Sequence, residues 1–225
     1  MAIARGPNIV RDNLVFALDA ASERSYPGSG TSLYDLSSNA RDFTLKNGAS
    51  ISNGNTVLDG SNDYVELVET FDWTATPWTV EFWANPTDFT YPTVIDLISA
   101  GNGHFRFVIG SSGIYSTFRT PGGSSTTLIS YSTSITFNNW YHCVFTRSGN
   151  TYKAYLNGNL GATNTTAALN NNAQMTVIRI GYSADYDASD RTFEGSVGPV
   201  RMYYRALADA EVTQNFDAHK NRFNL

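Results

Sequence analysis

The sequence predicts an all-β fold, an antiparallel two-sheet sandwich or jelly roll that ends in one short helix. Short apolar segments recur roughly every ten residues and are separated by Gly, Asn and Pro turn signals, which is typical of antiparallel strands. Helices do not alternate with these segments, so a parallel sheet built from βαβ units is not predicted. No repeat of fixed period is visible, which argues against a propeller or a solenoid.

The composition predicts one domain with a large core. The chain has 225 residues, of which 41% are apolar, and it includes 13 Phe and 13 Tyr. Sandwiches of about 200 to 250 residues commonly form a single domain, and no Pro- or Ser-rich linker divides this chain. Charged residues make up only 16%, so we expect a neutral polar surface that suits contacts with glycans or other proteins.

Charge and hydropathy argue against nucleic-acid and membrane partners. The formal net charge is −5, and no basic cluster offers a footprint for nucleic acid. The first apolar run, Leu14 to Leu18, is too short for a signal or membrane segment, so we expect a protein made and folded inside a cell. The single cysteine, Cys143, is predicted to be a buried, inert thiol.

Residues 1–12 are predicted to form an extended N-terminal arm. Their polarity is mixed and shows no period, and Pro7 disfavours helix at the preceding residue. Such arms often bind neighbouring subunits, so we expect this one to make an attachment.

Strands are predicted along most of the chain after the arm. In WTVEFWANP, Trp78 and Phe82 face one side of the strand, whereas Glu81 and Trp83 face the other. Asn157-Gly158 predicts a tight hairpin, because both residues accept the positive φ angles that such a turn needs. The predicted strands are Leu14–Leu18, Tyr34–Leu36, Phe43–Leu45, Thr56–Leu58, the segment after the Asp59-Gly60 turn, Trp78–Pro86, Thr93–Ser99, Phe105–Ile109, Ile114–Phe118, Thr126–Tyr131, Trp140–Thr146, Tyr152–Leu156, a return strand at Leu160, and Val177–Ile180.

The stretch from Phe193 to Phe216 is predicted to join the last long strand to the terminal helix. Pro199 lacks an N–H, which places it at a sheet edge or a bulge. After this strand the pattern changes to a helical period, with Val212 on the apolar side and Asp209 in the first turn. We expect the last strand to pack beside the first strands and complete a sheet.

Several segments together resemble the laminin-G-like domains of the concanavalin A-like lectin and glucanase superfamily, whose fold is a two-sheet jelly roll. These segments are LVFALDA, SYPGSGTSLYDLSSNARDFTLKNG, VLDGSNDYVEL, WTVEFWANP, NNWYHCVFTRSGNTYKAYLNG and FEGSVGPVRMYYRALADAEVTQNF. The resemblance covers nearly the whole chain after Asn13 and implies a single domain over residues 13–225. Many relatives carry an acidic pair after FxGS of the last strand, where this chain has Gly198 and Pro199.

A narrower resemblance concerns the two ends of the domain. The PGSG and YDLSSN opening combined with the NFDAHKNRF ending is similar to versions found in virion proteins of tailed bacteriophages. It implies a non-enzymatic virion structural protein, a capsid decoration or a tail or fibre component, assembled in the host cytoplasm. Its partners are then expected to be other virion proteins, with many copies on one particle. The alternative is a carbohydrate-binding adhesion module that recognises host glycans, with Ca²⁺ as a possible cofactor.

Candidate catalytic residues are few. Glucanases of the superfamily place two carboxylates close together so that they flank the glycosidic bond. Glu66 and Glu81 each stand alone on a predicted strand, and His104, His142 and His219 have no metal-ligand spacing. We therefore expect no enzymatic activity.

Two acidic loops are candidates for Ca²⁺, which prefers several oxygen ligands. The first contains Asp59, Asn62 and Asp63; in the alternative interpretation, these carboxylates make only side-chain to backbone turn bonds. The second contains Asp185, Asp187 and Asp190 and begins like an EF-hand loop, but Ser196 stands where the bidentate Glu is expected.

Exposed aromatic side chains are the candidates for stacking on sugar rings. We predict this role for Trp83, Tyr182 and Tyr186, and Tyr115 and Tyr131 have the same chemistry. The alternative for each ring is ordinary packing in the core or at its rim.

Overall fold

The structure is a computed structural model that describes residues 8–71, 73, 77–90, 92–101, 103–167, 174–183 and 191–225. Within this part the chain forms strands, one α-helix, α1 (Asp209–His219), and a 3-10 helix at Lys220–Phe223. The strands are β1 (Leu14–Leu18), β2 (Ser32–Leu33), β3 (Phe43–Lys46), β4 (Ser50–Ser52), β5 (Asn55–Asp59), β6 (Tyr64–Phe71), β7 (Trp78–Pro86), β8 (Thr93–Ser99), β9 (His104–Gly110), β10 (Gly113–Arg119), β11 (Ser125–Ser132), β12 (Tyr141–Ser148), β13 (Thr151–Leu156), β14 (Asn159–Asn164), β15 (Met175–Ile180), β16 (Tyr182–Ser183), β17 (Arg191–Thr192) and β18 (Glu194–Tyr203).

The strands pair antiparallel into two large sheets. The first sheet has the order β14-β13-β12-β7-β18-β5-β4, with β1 also paired to β18. The second has the order β11-β10-β9-β8-β15-β6-β3-β2, and β16 and β17 form a small separate ribbon. The two sheets pack as the layers of a jelly-roll sandwich, so the predicted fold class is confirmed.

The main core lies between the two sheets and is rich in aromatic rings. Trp73 and Trp78 stack with their centroids 4.7 Å apart, while Phe105 and Phe107 meet Trp78 edge-on. Such ring pairs contribute about 0.5–1.5 kcal/mol beyond the area they bury. Cys143 belongs to the same core, and burial raises the pKa of its thiol, so it is the unreactive side chain that the sequence predicts.

The last strand, β18, lies at the centre of the first sheet. On one side it pairs with β7, and on the other it pairs with β5 over Glu194–Val197 and with β1 over Val200–Tyr203. Pro199 lies where the partner changes, at a register shift in the pairing with β7. Because proline has no N–H for a ladder bond, this irregular point accommodates it. Of the two positions predicted for Pro199, a sheet edge or a bulge, the structure shows an irregularity within the pairing. The predicted pairing of the last strand with the first is confirmed.

One predicted strand is wrong. The strand lies at Ser32–Leu33 rather than at Tyr34–Leu36. The Asp35 carboxylate accepts hydrogen bonds from the backbone N–H groups of Ala17 and Ser37, each at 2.8 Å. A side chain that bonds local backbone groups in this way competes with strand pairing.

The predicted hairpin at Asn157-Gly158 connects β13 and β14. The two residues have φ angles of 50° and 77°, as a type I′ turn requires. Glycine is needed here for a second reason, since a Cβ on Gly158 would lie 2.9 Å from the ring of Phe216 in α1. The hairpin therefore also forms part of the surface on which the helix packs.

The C-terminal segment covers the outer face of the first sheet. Phe216 and Phe223 stack on Trp83 of β7 with centroid separations of 5.7 and 4.3 Å. Val212 of α1 is fully buried on the same side. Both faces of β7 are consequently buried, one between the sheets and one beneath the helix.

Residues 8–12 of the predicted arm contact this same side of the sandwich. Val10 is buried, its N–H donates to Asn215 Oδ1 at 2.8 Å, and its carbonyl accepts from the Tyr203 hydroxyl at 3.1 Å. The chain thus leaves the domain next to α1. The attachment role of the arm stays a prediction.

Candidate ligand-binding face

A row of charged side chains crosses the outer face of the second sheet. Register places Glu66 of β6, Arg179 of β15, Asp96 of β8 and Arg106 of β9 side by side on neighbouring strands. Arg179 pairs with Glu66 at 2.9 Å, and Arg106 lies 3.9 Å from Asp96. The signs alternate along the row, so each charge has an opposite neighbour across the strands.

The central part of this row is buried. The exposed fractions are 0% for Asp96, 2% for His104 and 6% for Arg106. Asp96 Oδ2 lies 2.7 Å from His104 Nδ1, and Arg106 donates from Nε to the Ser183 hydroxyl at 2.9 Å. Asp96 Oδ1 and His104 Nε2 have no hydrogen-bond partner among the described residues. The bond to Ser183 and the nearby Asp96 carboxylate orient the Arg106 guanidinium.

A cleft of about 170 Å³ opens beside Arg106. Thr117 of β10 lies opposite Arg106 in the sheet, and Tyr115 lies on the same face two residues away. The remaining lining residues are Pro92, Thr93, Val108, Ser125 and Arg191. The cleft therefore combines an aromatic ring with hydroxyl and guanidinium groups.

Tyr182, one of the predicted stacking residues, lies at the edge of the same face. Its ring stacks on Tyr64 with centroids 5.4 Å apart, and Arg179 lies 4.9 Å from the Tyr64 centroid and 5.6 Å from that of Tyr182. Both tyrosines are half-buried. The pair continues the charged row as a cation–π cluster at the surface.

Trp83 does not belong to this face, and its predicted ligand-binding role is wrong. The side chain is 0% exposed and is enclosed by Phe216, Phe223 and His142. No ring face is left for a sugar, because the C-terminal helices occupy it. Tyr186, predicted for the same role, lies outside the described residues.

The Asp59 turn agrees with the alternative of simple turn bonding. Asp59 Oδ1 accepts the Ser61 N–H at 2.8 Å, Asp63 is buried, and Asn62 is exposed. Burial and the neighbouring Asp59 charge raise the pKa of Asp63. No group of three or more His, Cys, Asp or Glu residues suited to a metal occurs in the described part of the chain.

Calcium binding at Asp59, Asn62 and Asp63 stays a prediction. The test compares melting temperatures in Ca²⁺ and in chelator for the wild type and for Asp63→Ala; an equal response of the two proteins would reject the site. The second acidic loop, with Asp185, Asp187 and Asp190, lies outside the described residues.

Glu81, on the other sheet, is locked in a buried network. Its carboxylate bonds to Arg201 Nη1, accepts from Asn215 Nδ2 at 2.6 Å and lies 3.1 Å from His142 Nε2. Burial alone would raise the pKa of Glu81, but Arg201, His142 and Asn215 together lower it to about 2. The carboxylate is 0% exposed, so it has no access to a substrate. Its role is structural.

The charged row was missed by the sequence analysis, although the sequence carries a signal for it. The strands YVELVETF, TVIDLIS, HFRFVIG and MTVIRI each place one charged residue near the middle of an apolar run. Their signs alternate in the spatial order of the strands, not in chain order. Without the strand order, Glu66 appears isolated and Arg179 has no evident partner.

The two antiparallel sheets, of which the first is covered by α1, define a β-sandwich. The sequence profile of the Laminin_G_3 family, described as the concanavalin A-like lectin/glucanases superfamily, matches residues 59–213. The chain therefore belongs to this family. No curated protein is significantly similar to the chain in sequence.

Solved structures with a similar fold include binding domains of clostridial toxins. One is of botulinum neurotoxin type C, which depends on interaction with two ganglioside molecules to enter cells (TM-score 0.74, 16% identity, 93% of this chain and 52% of that chain). Another is the binding domain of botulinum neurotoxin DC in complex with rat synaptotagmin II (TM-score 0.73, 15% identity, 93% of this chain and 52% of that chain). A third is the binding domain of Paraclostridial Mosquitocidal Protein 1 (TM-score 0.72, 18% identity, 94% of this chain and 53% of that chain).

These likenesses concern the fold. This chain spans about half the length of each of the three structures, as the coverage of 52–53% shows. At identities of 15–18%, a shared fold does not carry over a ligand or a receptor.

Proposed function

We propose that this protein is a non-enzymatic glycan-binding module whose binding surface is the outer face of the second sheet. The observation that carries this proposal is the cleft of about 170 Å³ beside Arg106 and Tyr115. Drug-sized ligands occupy pockets of about 300–1,000 Å³, so this cleft has room for a single sugar ring. The ligand is then a terminal or side-branch sugar of a larger glycan.

The lining suits a sugar chemically. A sugar ring presents apolar C–H groups on one face and hydroxyls around its rim, so it needs an aromatic surface beside donors and acceptors. Tyr115 supplies the ring surface, and Thr117 and Ser125 supply hydroxyl groups. Arg106 is held by Ser183 and Asp96, so the guanidinium is already oriented before a ligand arrives.

The same geometry supports a role without turnover. Glycoside hydrolysis requires two carboxyl groups on either side of the scissile bond. Glu81 is sealed beneath the helix, Glu66 is paired with Arg179, and Asp96 is 0% exposed. None of the three presents a free carboxyl group to a substrate.

We also propose that the module is a virion component of a tailed bacteriophage, as a capsid decoration or as part of a tail or fibre. The sequence resemblance described above motivates this setting. The position of residues 8–12 supports it, because they leave the domain beside α1, on the side opposite the open face. Attachment through the arm would leave the glycan-binding face directed outward.

The glycan claim is tested by screening the labelled protein against immobilised bacterial and animal glycans. We expect binding to a defined sugar, with loss of signal in Tyr115→Ala and retention in Tyr34→Ala, whose exposed ring lies elsewhere. No binding to any glycan, or equal loss in both variants, would reject the proposed face. Release of reducing sugar from a bound glycan would reject the non-enzymatic claim.

The virion claim needs a separate experiment. Purified particles of the source phage should contain the protein at a fixed, high copy number. A version lacking residues 1–7, which keeps the buried Val10 and its bonds to Asn215 and Tyr203, should remain folded but unattached. Absence from purified particles would contradict the virion setting while leaving the glycan claim intact.

A further inference from the structure

A charged cavity lies on the opposite side of the sandwich, between the N-terminal segment, β1 and the end of α1. Its volume is about 350 Å³. Asn8, Ile9 and Arg11 form one wall, and His219 and Ala218 of the helix form another. Asp19 and Arg24 line it from the loop after β1, and Arg201 of β18 is a further lining residue.

The acidic groups near this cavity are already paired with cations. Asp19 Oδ1 accepts from Arg222 Nη1 at 2.7 Å. Arg201 is 2% exposed, and its Nη1 is bound to Glu81. The charges within each pair cancel, so the net charge of the cavity comes from its other lining residues.

Arg11 and Arg24 supply a net positive charge at the cavity. Both are exposed, and neither guanidinium has a hydrogen-bond or ion-pair partner among the described residues. The protein as a whole has a formal charge of −5, so this is a local reversal of sign. Two arginines with open guanidinium groups are the usual means of binding carboxylate or phosphate in a bidentate manner.

His219 supplies a neutral polar group in the same wall. Its Nε2 lies 2.9 Å from Arg201 Nη2, and since arginine only donates, the imidazole accepts there. Its Nδ1 lies 3.4 Å from the carbonyl of Asn215. Burial, together with the Arg201 charge, lowers the pKa of His219 to about 4, which is consistent with this neutral form.

We propose that this cavity is an oxyanion-binding site in which Arg11 and Arg24 hold a carboxylate or phosphate group at the mouth, above the His219–Arg201 pair. The ligand is a small acidic molecule or the acidic group of a larger one, such as a uronic acid. Residues 8–11 form one wall, so an anion that bridges Arg11 to Arg24 also fixes the N-terminal segment against the domain. Binding at this site is independent of the glycan face.

The experiment measures the melting temperature of the full chain at constant ionic strength. Sodium phosphate and sodium glucuronate are compared with sodium chloride, and uncharged glucose serves as the control for the sugar ring. Ligand that binds only the folded state raises the melting temperature, here by about 2–4 °C for about 1 kcal/mol of stabilisation. We expect such a rise with phosphate or glucuronate and none with glucose.

Variants separate binding from general salt effects, since phosphate also stabilises proteins by exclusion from their surfaces. Arg11→Gln combined with Arg24→Gln should abolish the rise, and both side chains are exposed, so the fold should survive. Arg24→Lys should retain part of the rise in melting temperature. Lys46→Gln, a charge change on the other sheet, should leave the rise unchanged. The proposal is overturned if the rise in melting temperature persists in the double variant, if Lys46→Gln reduces the rise equally, or if neither anion gives a rise.

Discussion

Glu81 shows how this fold retains a charge at the centre of a covered sheet. Burial of an unpaired carboxylate in an apolar interior is strongly unfavourable, and its attraction to a partner offsets that only when the remaining lone pairs are bonded. Here Arg201 and Asn215 bond to the two carboxylate oxygens, and His142 lies 3.1 Å away. Asn215 also accepts the Val10 N–H, so the side chain of Asn215 links the sheet, the helix and the N-terminal segment.

Glu81→Gln should destabilise the protein strongly, because it leaves the Arg201 guanidinium buried without its counter-charge. We expect a loss of about 3–5 kcal/mol in the free energy of unfolding, measured by denaturant titration. The matched control is Glu66→Gln, which removes a partly exposed partner of Arg179 and should lower stability by only about 0–1 kcal/mol. Equal losses in the two variants would show that the Glu81 network contributes no more to stability than the Glu66–Arg179 pair.

The free energy of unfolding should fall with acid over two overlapping pH intervals. The folded-state pKa of His219 is lowered from 6.5 to about 4, so the unfolded state binds the proton more tightly and stability falls as pH drops through that interval. The pKa of Glu81 is lowered from 4.5 to about 2, so its contribution is present above pH 4.5 and is lost as pH falls towards 2.

The measurement is the free energy of unfolding against pH for the wild type, His219→Gln and Glu81→Gln. His219→Gln should flatten the curve between pH 6.5 and 4, and Glu81→Gln should flatten it below pH 4.5. Curves that keep the wild-type slope in those intervals would contradict the two assignments.

At the scale of elements, the sequence predicts strands and turns best where the structure is determined by the residues of the strand or turn itself. Leu14–Leu18, Trp78–Pro86 and Thr93–Ser99 were predicted with the bounds that the structure has. Asn157-Gly158 and Pro199 were placed correctly because turn and bulge chemistry is intrinsic to those residues.

Features that depend on strand order or on distant segments were not predictable in the same way. Trp83 has the chemistry of a stacking residue, but α1, well over a hundred positions later in the chain, covers it. The charged row across the second sheet becomes visible only when Arg179 is known to lie between Glu66 and Asp96. β4 was missed because Ser50–Ser52 is short and exposed, with no apolar alternation.

The β13–β14 hairpin gives a test at this scale. Gly158→Ala places a Cβ 2.9 Å from Phe216 and also imposes the strain of a φ angle of 77°. Gly149→Ala is the matched control, since it has a φ angle of 59° with no atom within 4 Å of the added Cβ. In the control, the free energy of unfolding should fall by about 1–2 kcal/mol through backbone strain alone.

Gly158→Ala should lose about 1–3 kcal/mol more than this control, because the helix must shift away from the hairpin. Denaturant titration of both variants measures the difference. If the two substitutions are equally destabilising, the helix does not pack on this turn as the structure shows.

At the scale of the molecule, β18 connects most of the first sheet. It pairs with β7, β5 and β1, and the helix that follows it covers Glu81 and Trp83. Removal of Phe193–Leu225 should therefore abolish the cooperative unfolding transition, whereas removal of the exposed Asn224 and Leu225 should not. Circular dichroism during heating measures both. A truncated chain that unfolds cooperatively would show that the remaining strands fold without β18.

The two sides of the sandwich differ in a way that suits attachment on one side and recognition on the other. The first sheet is closed by α1 and residues 8–12, while the described chain places no helix over the second sheet. No helix in the described part of the chain is long and apolar enough to cross a membrane. The open face with Arg106 and Tyr115 is therefore the surface on which the proposed function depends.

The most direct test of that function is a calorimetric titration with the strongest glycan found by screening. The wild type should bind it, Tyr34→Ala should bind it equally well, and Tyr115→Ala should bind it about tenfold more weakly, as expected for the loss of one stacked ring. Equal affinity of Tyr115→Ala and the wild type would contradict the account, because the glycan would then be held somewhere other than the open face of the second sheet.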